Sequence, residues 1–449
     1  MLERVIVVLI RFSVCNWMSF RDETEWTLVA SREKQHRDRI TRLEEYKTSI
    51  LPITAIYGGN ASGKTALFKA LNFVQRFVVK GTTPDEPIPV NPFRLEEPSL
   101  HAPSRFSIEI LADHTIYAFH FATTSEQVVE EKLVRINRAS ETILYDRQGA
   151  EPNFAPELRD NDLLKFAYQG TRDNQLFLTN TVLQNMDLFR PVYNWFSRTL
   201  QMIAPDTRFQ AFEQFIDEGS PLHEVMNEVL YALDTGISRL GGEEVPFGSE
   251  LFTDELRNAT VTKIQSGKSV RLGTLRGNRY ILSRKGNDVT AKKLVAYHRK
   301  WDGGEERFEL GEESDGTQRL IDLLPLFIDL AQPKADKVYV IDELDCSLHS
   351  VLTRHLLESY LDQCGPDRRT QVLFTTHDVL LMDQDLLRRD EMWITERKPE
   401  GNTTLIPFSD FKDIRYDKDI RKSYLQGKMG GIPRFLIQDV TNGRVGEGS

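Results

Sequence analysis

The sequence predicts an α/β fold built around buried strands, and three observations predict it. First, a short apolar run at Ile50 to Tyr57 (ILPITAIY) opens directly into glycines. Second, Ala66 to Val79 follows with Leu67, Phe68, Leu71, Val74 and Val78 at helical spacing, so the order is strand, loop, helix. Third, Val338 to Ile341 is apolar throughout and Gln371 to Thr375 reads as another strand, each within the span of a single short element.

The remaining elements follow in order. Val5 to Ile10 (VIVVLI) is β-branched and reads as a buried strand. It is too short for a secretory core or a membrane span, which needs about 20 apolar residues. Ser31 to Lys47 is densely charged and reads as a solvated loop or helix. Six prolines between Pro84 and Pro103 break any regular element there. Phe106 to Phe121 alternates with period two, as hairpin strands do. From Pro156 to Leu240 the pattern turns helical, with Phe212, Phe215, Leu222, Val225, Val229 and Leu233 at mostly three- and four-residue steps. Strands return between Ser269 and His298, and a helix is expected over Gly316 to Leu330. Gly443 to Ser449 reads as a frayed tail.

Composition narrows the class. With 449 residues and 40% hydrophobic content the chain can bury at least one large core. A net charge of −10 argues against a uniformly basic nucleic-acid coat protein. The three cysteines, Cys15, Cys346 and Cys364, are too few and too dispersed for a disulfide framework or a four-cysteine zinc site, which fits a reducing cytoplasm.

Gly58-Gly59-Asn60-Ala61-Ser62-Gly63-Lys64-Thr65 matches GxxxxGK[ST] in the strand-to-helix context that the motif requires. Successive backbone N–H groups of such a loop point at phosphate oxygens, and the helix N-terminus adds its dipole. Lys64 is expected on the β/γ phosphates of ATP and the Thr65 hydroxyl on Mg²⁺. Far downstream, Asp342 and Glu343 end an apolar strand. Such a strand with a solvated end is common, but paired with the loop it reads as the second half of the site. Asp342 is then expected to hold Mg²⁺ through water, and Glu343 to polarise the attacking water.

Between these motifs, Glu313-Ser314-Asp315-Gly316-Thr317-Gln318-Arg319-Leu320 opens the helix upstream of the Asp342 strand, while Asp345 with Leu348-His349, and then Thr376-His377, follow it. That order of signature, D-loop and switch histidine resembles the ABC-class ATPases. Within the class the chain resembles the overcoming-lysogenization-defect-like AAA-type ATPases, relatives of SMC-type heads. The supporting segments are Asn16-Trp17-Met18-Ser19-Phe20, Phe177-Leu178-Thr179-Asn180 and Tyr424 to Pro433.

The resemblance implies an ABC-type, SMC-like P-loop NTPase head with an inserted helical subdomain and no long coiled coil. The expected division is 1–155 (N-terminal lobe), 156–240 (helical insertion), 241–310 (basic, β-rich) and 311–449 (C-terminal lobe with a lid-like segment). It further implies an ATP sandwich between two copies, Ser314 and Gly316 of one touching the γ-phosphate held by the other, and His377 sensing that phosphate. Asp315 departs from the first glycine of the usual LSGGQ and Thr317 from its glutamine; a carboxylate near phosphate implies slow hydrolysis. Gln184 is the expected Q-loop contact to Mg²⁺ and water, with Gln175 as competitor.

Residues 261–300 carry eleven cations, Lys263, Lys268, Arg271, Arg276, Arg279, Arg284, Lys285, Lys292, Lys293, Arg299 and Lys300, against Asp288 alone. They could face DNA, an acidic protein, or acidic neighbours on the same molecule. No DxD-rich cluster or HNH-like set is legible, so a nuclease is expected in a separate chain. The family-level expectation is the ATPase scaffold of a two-component anti-phage system, of the PARIS AriA type. Such a scaffold is a homo-oligomer of ATP-sandwich dimers, or a larger ring, that holds a Toprim-like nuclease effector until a phage protein, for instance an acidic one, is detected. The alternatives are a RecF-like ATPase clamping duplex DNA and a partner-restraining module of the Septu or retron kind. No membrane association is expected.

Overall fold

The computed structural model describes residues 7–149, 152–205, 215, 219–246, 269–273, 279–285, 288–333, 335–411 and 420–431. The chain divides into two compact units, one of residues 1–204, 336–344 and 361–449, the other of residues 205–335 and 345–360.

The first unit holds two large sheets. An antiparallel sheet of seven strands runs, in spatial order, Asn153–Phe154, Glu141–Arg147, Val128–Ile136, Thr115–Thr123, Ser104–Ala112, Val8–Cys15 and Thr24–Thr27. The alternation over Phe106 to Phe121 is thus a hairpin, with Phe106 opposite Phe121. The second sheet has six strands in the order Leu200–Ile203, Val338–Ile341, Gln371–Thr375, Ile53–Tyr57, Met392–Arg397 and Thr403–Pro407. Only the last pairing is antiparallel. Every residue of the strands at Ile53, Val338 and Gln371 is buried, which explains why they read as continuous runs rather than alternating ones.

The helix Lys64–Lys80 joins the two layers. Phe73 and Phe77 stack at 5.5 Å between ring centroids and meet Phe106 and Phe121 of the antiparallel sheet, at 5.1 Å for Phe73–Phe106 and 5.8 Å for Phe77–Phe121. Aromatic pairs of this kind contribute about 0.5–1.5 kcal/mol each beyond the area they bury. Gln371 pins the layers from the other side. Its carboxamide accepts from Leu9 N–H at 2.7 Å and donates to the carbonyls of Leu9 and Leu51 at 3.0 and 3.1 Å.

The second unit packs the helices Pro221–Ala232 and Asp315–Ala331 with a second antiparallel sheet, Ile237–Val245, Asp288–Arg299, Arg279–Lys285 and Ser269–Gly273, to which Glu305–Glu309 adds. Leu320, Ile321, Leu324 and Ile328 bury one helix face against Ile237, Leu240, Ile281 and Leu294.

The division into units differs from the expected boundaries at 155 and 240, since 156–204 belongs to the first unit and 205–240 to the second. The reason is core membership. Leu164, Phe177, Leu178, Trp195 and Phe196 are buried in the same cluster as the strands of the first unit. The expected C-terminal lobe at 311–449 is likewise divided, because Asp315–Ala331 and residues 345–360 fall in the second unit. The tail at 443–449 and the side chains of Phe212, Lys263, Lys268, Arg271, Arg276, Arg284, Lys285 and Asp288 lie outside the described residues.

Candidate nucleotide site

Parallel pairing sets the site. Ile341 lies opposite Phe374, Thr375 opposite Ile56, and Ile394 opposite Tyr57. The carboxyl ends of three strands therefore reach one edge of the sheet, bringing together the loop after Tyr57, the Asp342-Glu343 pair and Thr376-His377. Crevices at the carboxyl ends of parallel strands are where such sheets bind ligands.

The loop from Gly58 to Thr65 folds as the motif demands. Gly63, at φ 111°, caps the helix start, and a Cβ there would lie 2.5 Å from Thr403 Oγ1. Ser62 Oγ is 2.6 Å from Thr395 Oγ1, while Thr403 Oγ1 donates to the Ser62 carbonyl at 2.9 Å. The strand pair at Met392 and Thr403 thus braces the loop from below. From the C-terminal side, Gly59 N–H donates to the Gly431 carbonyl at 3.0 Å, and Tyr424 Oη donates to the same oxygen at 3.2 Å. The expected lid-like segment is therefore in contact with the loop as far as Gly431; Ile432 and Pro433 lie outside the described residues.

Lys64 is buried, and its ammonium donates to the Gly58 carbonyl at 2.7 Å and to that of Gly59 at 3.1 Å. His377 Nδ1 lies 3.4 Å from the same nitrogen. Asp342 is buried behind them, its Oδ1 accepting from Thr375 Oγ1 at 2.6 Å. The same hydroxyl accepts from Glu343 N–H at 2.8 Å, and Glu343 takes a left-handed φ of 51°. Thr375 thereby fixes both acidic residues.

A cavity of about 740 Å³ opens over this edge, lined by Asn60, Ala61, Ser62, Gly63, Lys64, Thr65, Glu343 and His377 among others. The first N–H groups of the helix have no carbonyl one turn earlier to bond, so they are donors for an anion. Thr65, Asp342 and Glu343 supply only hard oxygen donors, the set that suits Mg²⁺. The residues present therefore fit a triphosphate with its magnesium ion.

Sequence reasoning missed the far wall. Met18, Ser19, Asn91, Phe93, Arg94, Leu95 and Arg397 also line the cavity. The segment around Asn91 is held there by Asn16, whose Oδ1 accepts from Phe93 N–H at 3.0 Å and whose Nδ2 donates to the Ser99 and Ala102 carbonyls at 2.8 and 2.9 Å. Asn16 to Phe20 was legible as a segment, but nothing in the spacing of Arg94 or Arg397 marks them.

Gln184, the expected Q-loop contact, is not among the residues that line this cavity. It is exposed at the end of the helix Phe177–Leu183, where Nε2 donates to Asn180 Oδ1 at 3.3 Å. Gln175 is buried, with its carbonyl accepting from Arg147 at 2.8 Å. The helix between them is fixed by buried Glu131, which accepts from Phe177 N–H at 2.6 Å and Leu178 N–H at 2.9 Å. Burial raises the Glu131 pKa despite the Arg147 charge and these donors.

Ser314 and Gly316 belong to the second unit. Ser314 caps the helix Asp315–Ala331 by accepting from Thr317 N–H at 3.1 Å. A Cβ on Gly316 would lie 2.7 Å from the Ser347 carbonyl, so only glycine allows the expected signature and D-loop to touch. In the basic segment, Arg279 pairs with Asp322 at 2.9 Å, Lys300 with Glu306 at 2.5 Å, and Lys293 with Glu309. Of the readings open for that segment, the described pairs favour acidic neighbours within the unit.

No helix among the described residues is long and apolar enough to cross a membrane. No curated protein matches the chain in sequence. Among solved structures it is similar to the SMC head domain from Thermotoga maritima, at 14% identity and a TM-score of 0.35 over 89% of this chain and 98% of that one. It is also similar to a structure of the SmcHead bound to the C-winged helix domain of ScpA, at 13% identity and a TM-score of 0.38 over 90% of this chain and 99% of that one. A family described as "AAA domain, putative AbiEii toxin, Type IV TA system" matches residues 53–383. That span begins at the strand feeding the glycine loop and ends beyond His377, and the chain belongs to this AAA-domain family of P-loop ATPases.

Proposed function

We propose that this protein is an ATP-driven switch that binds Mg²⁺-ATP in the cavity over Lys64, hydrolyses it slowly, and uses the cycle to hold and release a separate effector. The observation that carries the reading is the convergence of Lys64, Glu343 and His377 on one cavity, with Asp342 fixed beside them.

Lys64 leaves the Gly58 and Gly59 carbonyls to neutralise the β- and γ-phosphates, while the N–H groups from Asn60 to Thr65 orient the chain of phosphates. Thr65 and Asp342 would hold the magnesium ion, which would supply charge neutralisation at the phosphoryl oxygens. Glu343 accepts the proton of the attacking water, and His377 donates to the γ-phosphate. A second copy places Ser314 and Gly316 against that phosphate, so dimerisation completes the site. Larger assemblies built from such dimers are compatible with the same chemistry.

The family description, which speaks of an AbiEii toxin and a Type IV toxin–antitoxin system, supports a role in defence. In this reading the chain is the scaffold of a two-component anti-phage system, as in the PARIS type, and restrains a Toprim-like nuclease until a phage protein is sensed. The DNA-clamp reading has less support, since Arg279, Lys293 and Lys300 are already paired with carboxylates.

Light scattering on the Glu343→Gln variant with Mg²⁺-ATP tests the sandwich. A nucleotide-dependent doubling of mass is expected, and a monomer at saturating ATP contradicts it. Co-purification from the native operon tests the effector: recovery of a nuclease in an ATP-stabilised particle is expected, and an ATP-dependent DNA complex without one contradicts the scaffold role.

A further inference from the structure

A second concavity, of about 580 Å³, runs along the helix Lys64–Lys80 beside the nucleotide cavity. Lys69, Arg76 and Lys80 line it. Steps of seven and four residues at a rise of 1.5 Å place them on one helix face roughly 10 and 6 Å apart. All three are exposed, and none makes an ion pair among the described residues. The single carboxylate in the lining, Glu86, is turned to Thr83, accepting from its hydroxyl at 2.8 Å and its N–H at 3.3 Å.

The opposite wall is prebuilt. Asn174 Nδ2 donates to the carbonyls of Thr83 and Glu86, both at 2.9 Å, and Ile88 N–H donates to the Ser125 carbonyl at 2.8 Å. Pro87 and Pro89 stand along that wall as rigid, apolar rungs. The wall is held by the chain's own hydrogen bonds and needs no ordering to receive a ligand.

We propose that this groove binds an extended acidic peptide segment of a partner protein, carboxylates on Lys69, Arg76 and Lys80 and apolar side chains against Pro87 and Pro89. Charge complementarity selects an acidic occupant. Single-stranded nucleic acid is disfavoured because it binds by stacking bases on open aromatic faces. The rings here are closed: Trp17, Phe73 and Phe77 are only 2%, 7% and 3% exposed. A duplex offers a broad convex surface to such a recess, with phosphates that three cations on one side of a cleft cannot follow.

The groove and the nucleotide cavity share a partition. Met18 and Asn91 line both, and Met18 N–H donates to the Asn91 carbonyl at 2.7 Å. On the proposed ATP-switch reading, peptide binding and nucleotide binding are coupled through that backbone pair, reciprocally.

The test uses the full chain and fluorescence anisotropy with three labelled probes: a 12-residue alternating Glu-Leu peptide, its Gln-Leu counterpart, and an oligothymidylate. The expected result is preference for the Glu-Leu peptide, with affinity at least tenfold lower in Lys69→Glu/Arg76→Glu/Lys80→Glu and several-fold lower in Arg76→Glu alone. Equal binding by wild type and the triple variant, no discrimination between the two peptides, or no peptide binding overturns the proposal. Tighter binding of oligothymidylate through the same three cations overturns it in favour of nucleic acid. Peptide binding is read first without nucleotide, and a fluorescent ATP analogue is titrated separately. Absence of peptide binding by a wild type that still binds nucleotide sinks this inference alone, whereas failure of the wild type to bind nucleotide sinks the ATP reading.

Discussion

Lys64 Nζ lies 3.4 Å from His377 Nδ1. The two residues are 313 positions apart and meet because parallel pairing of Gln371–Thr375 with Ile53–Tyr57 aligns the ends of both strands. The ammonium also donates to two loop carbonyls, so Nδ1 is the accepting, unprotonated nitrogen of the ring. Lysine and histidine are thus already in mutual reach at the place where a γ-phosphate would sit.

Lys64→Ala is expected to weaken Mg²⁺-ATP binding by roughly tenfold or more, since charged hydrogen bonds contribute about 1.5–3 kcal/mol each. Titration with a fluorescent ATP analogue measures it. His377→Ala is expected to leave that affinity nearly unchanged and to lower kcat about 100-fold, the usual loss on removing one preorganised donor. Equal effects of the two variants on affinity would contradict the separate roles.

Thr375→Val removes the hydroxyl that serves Asp342 and Glu343 together. Leaving the buried Asp342 oxygen without its donor costs about 1–3 kcal/mol. A lower urea midpoint with unchanged slope, together with reduced ATPase activity, is expected. Full activity in a destabilised variant would show that the hydroxyl serves the fold alone.

Gly316→Ala runs against helix propensity. Alanine in a helix interior normally gains about 1 kcal/mol over glycine. Here its Cβ would lie 2.7 Å from the Ser347 carbonyl, so a net loss of stability is expected by thermal unfolding. A stabilised variant would contradict the close approach.

Glu391 is fully buried beside Arg39, at 2.7 Å, and burial pushes its pKa from 4.5 up to about 7. The folded state therefore holds a proton that the unfolded state releases between these values. Stability from this group is fully present below pH 4.5 and is lost as pH rises through about 7. Glu391→Gln removes the titration. Its stability relative to wild type is expected to improve from pH 5 to pH 7.5 in urea unfolding, and a pH-independent difference would contradict the assignment.

Local patterns made much of this legible. The helix expected over Ala66 to Val79 spans Lys64–Lys80, and the expected strands at Val338 and Gln371 have the predicted bounds. These elements are specified by their own periodicity and by turn residues beside them. What escaped depends on distant partners. Ser31 to Lys47 reads as solvated, yet Glu33 and Arg39 are buried, because Glu391 pairs with Arg39 and the Arg389 N–H donates to Glu33 at 3.1 Å. Likewise Arg94 and Arg397 come to the cavity only through the tertiary contacts of Asn16 and the sheet order. Gln184 shows the converse: residue type and position in the chain pointed to the site, while the helix Phe177–Leu183, held at its start by Glu131, leaves it outside the cavity lining.

The most direct measurement is single-turnover hydrolysis of ATP by wild type and Glu343→Gln, each preloaded with Mg²⁺-ATP and with bound nucleotide quantified. The account predicts equal occupancy and a rate reduced about 100-fold or more in the variant, the scale of a lost general base. Hydrolysis at the wild-type rate, or a variant that binds no ATP, would contradict it.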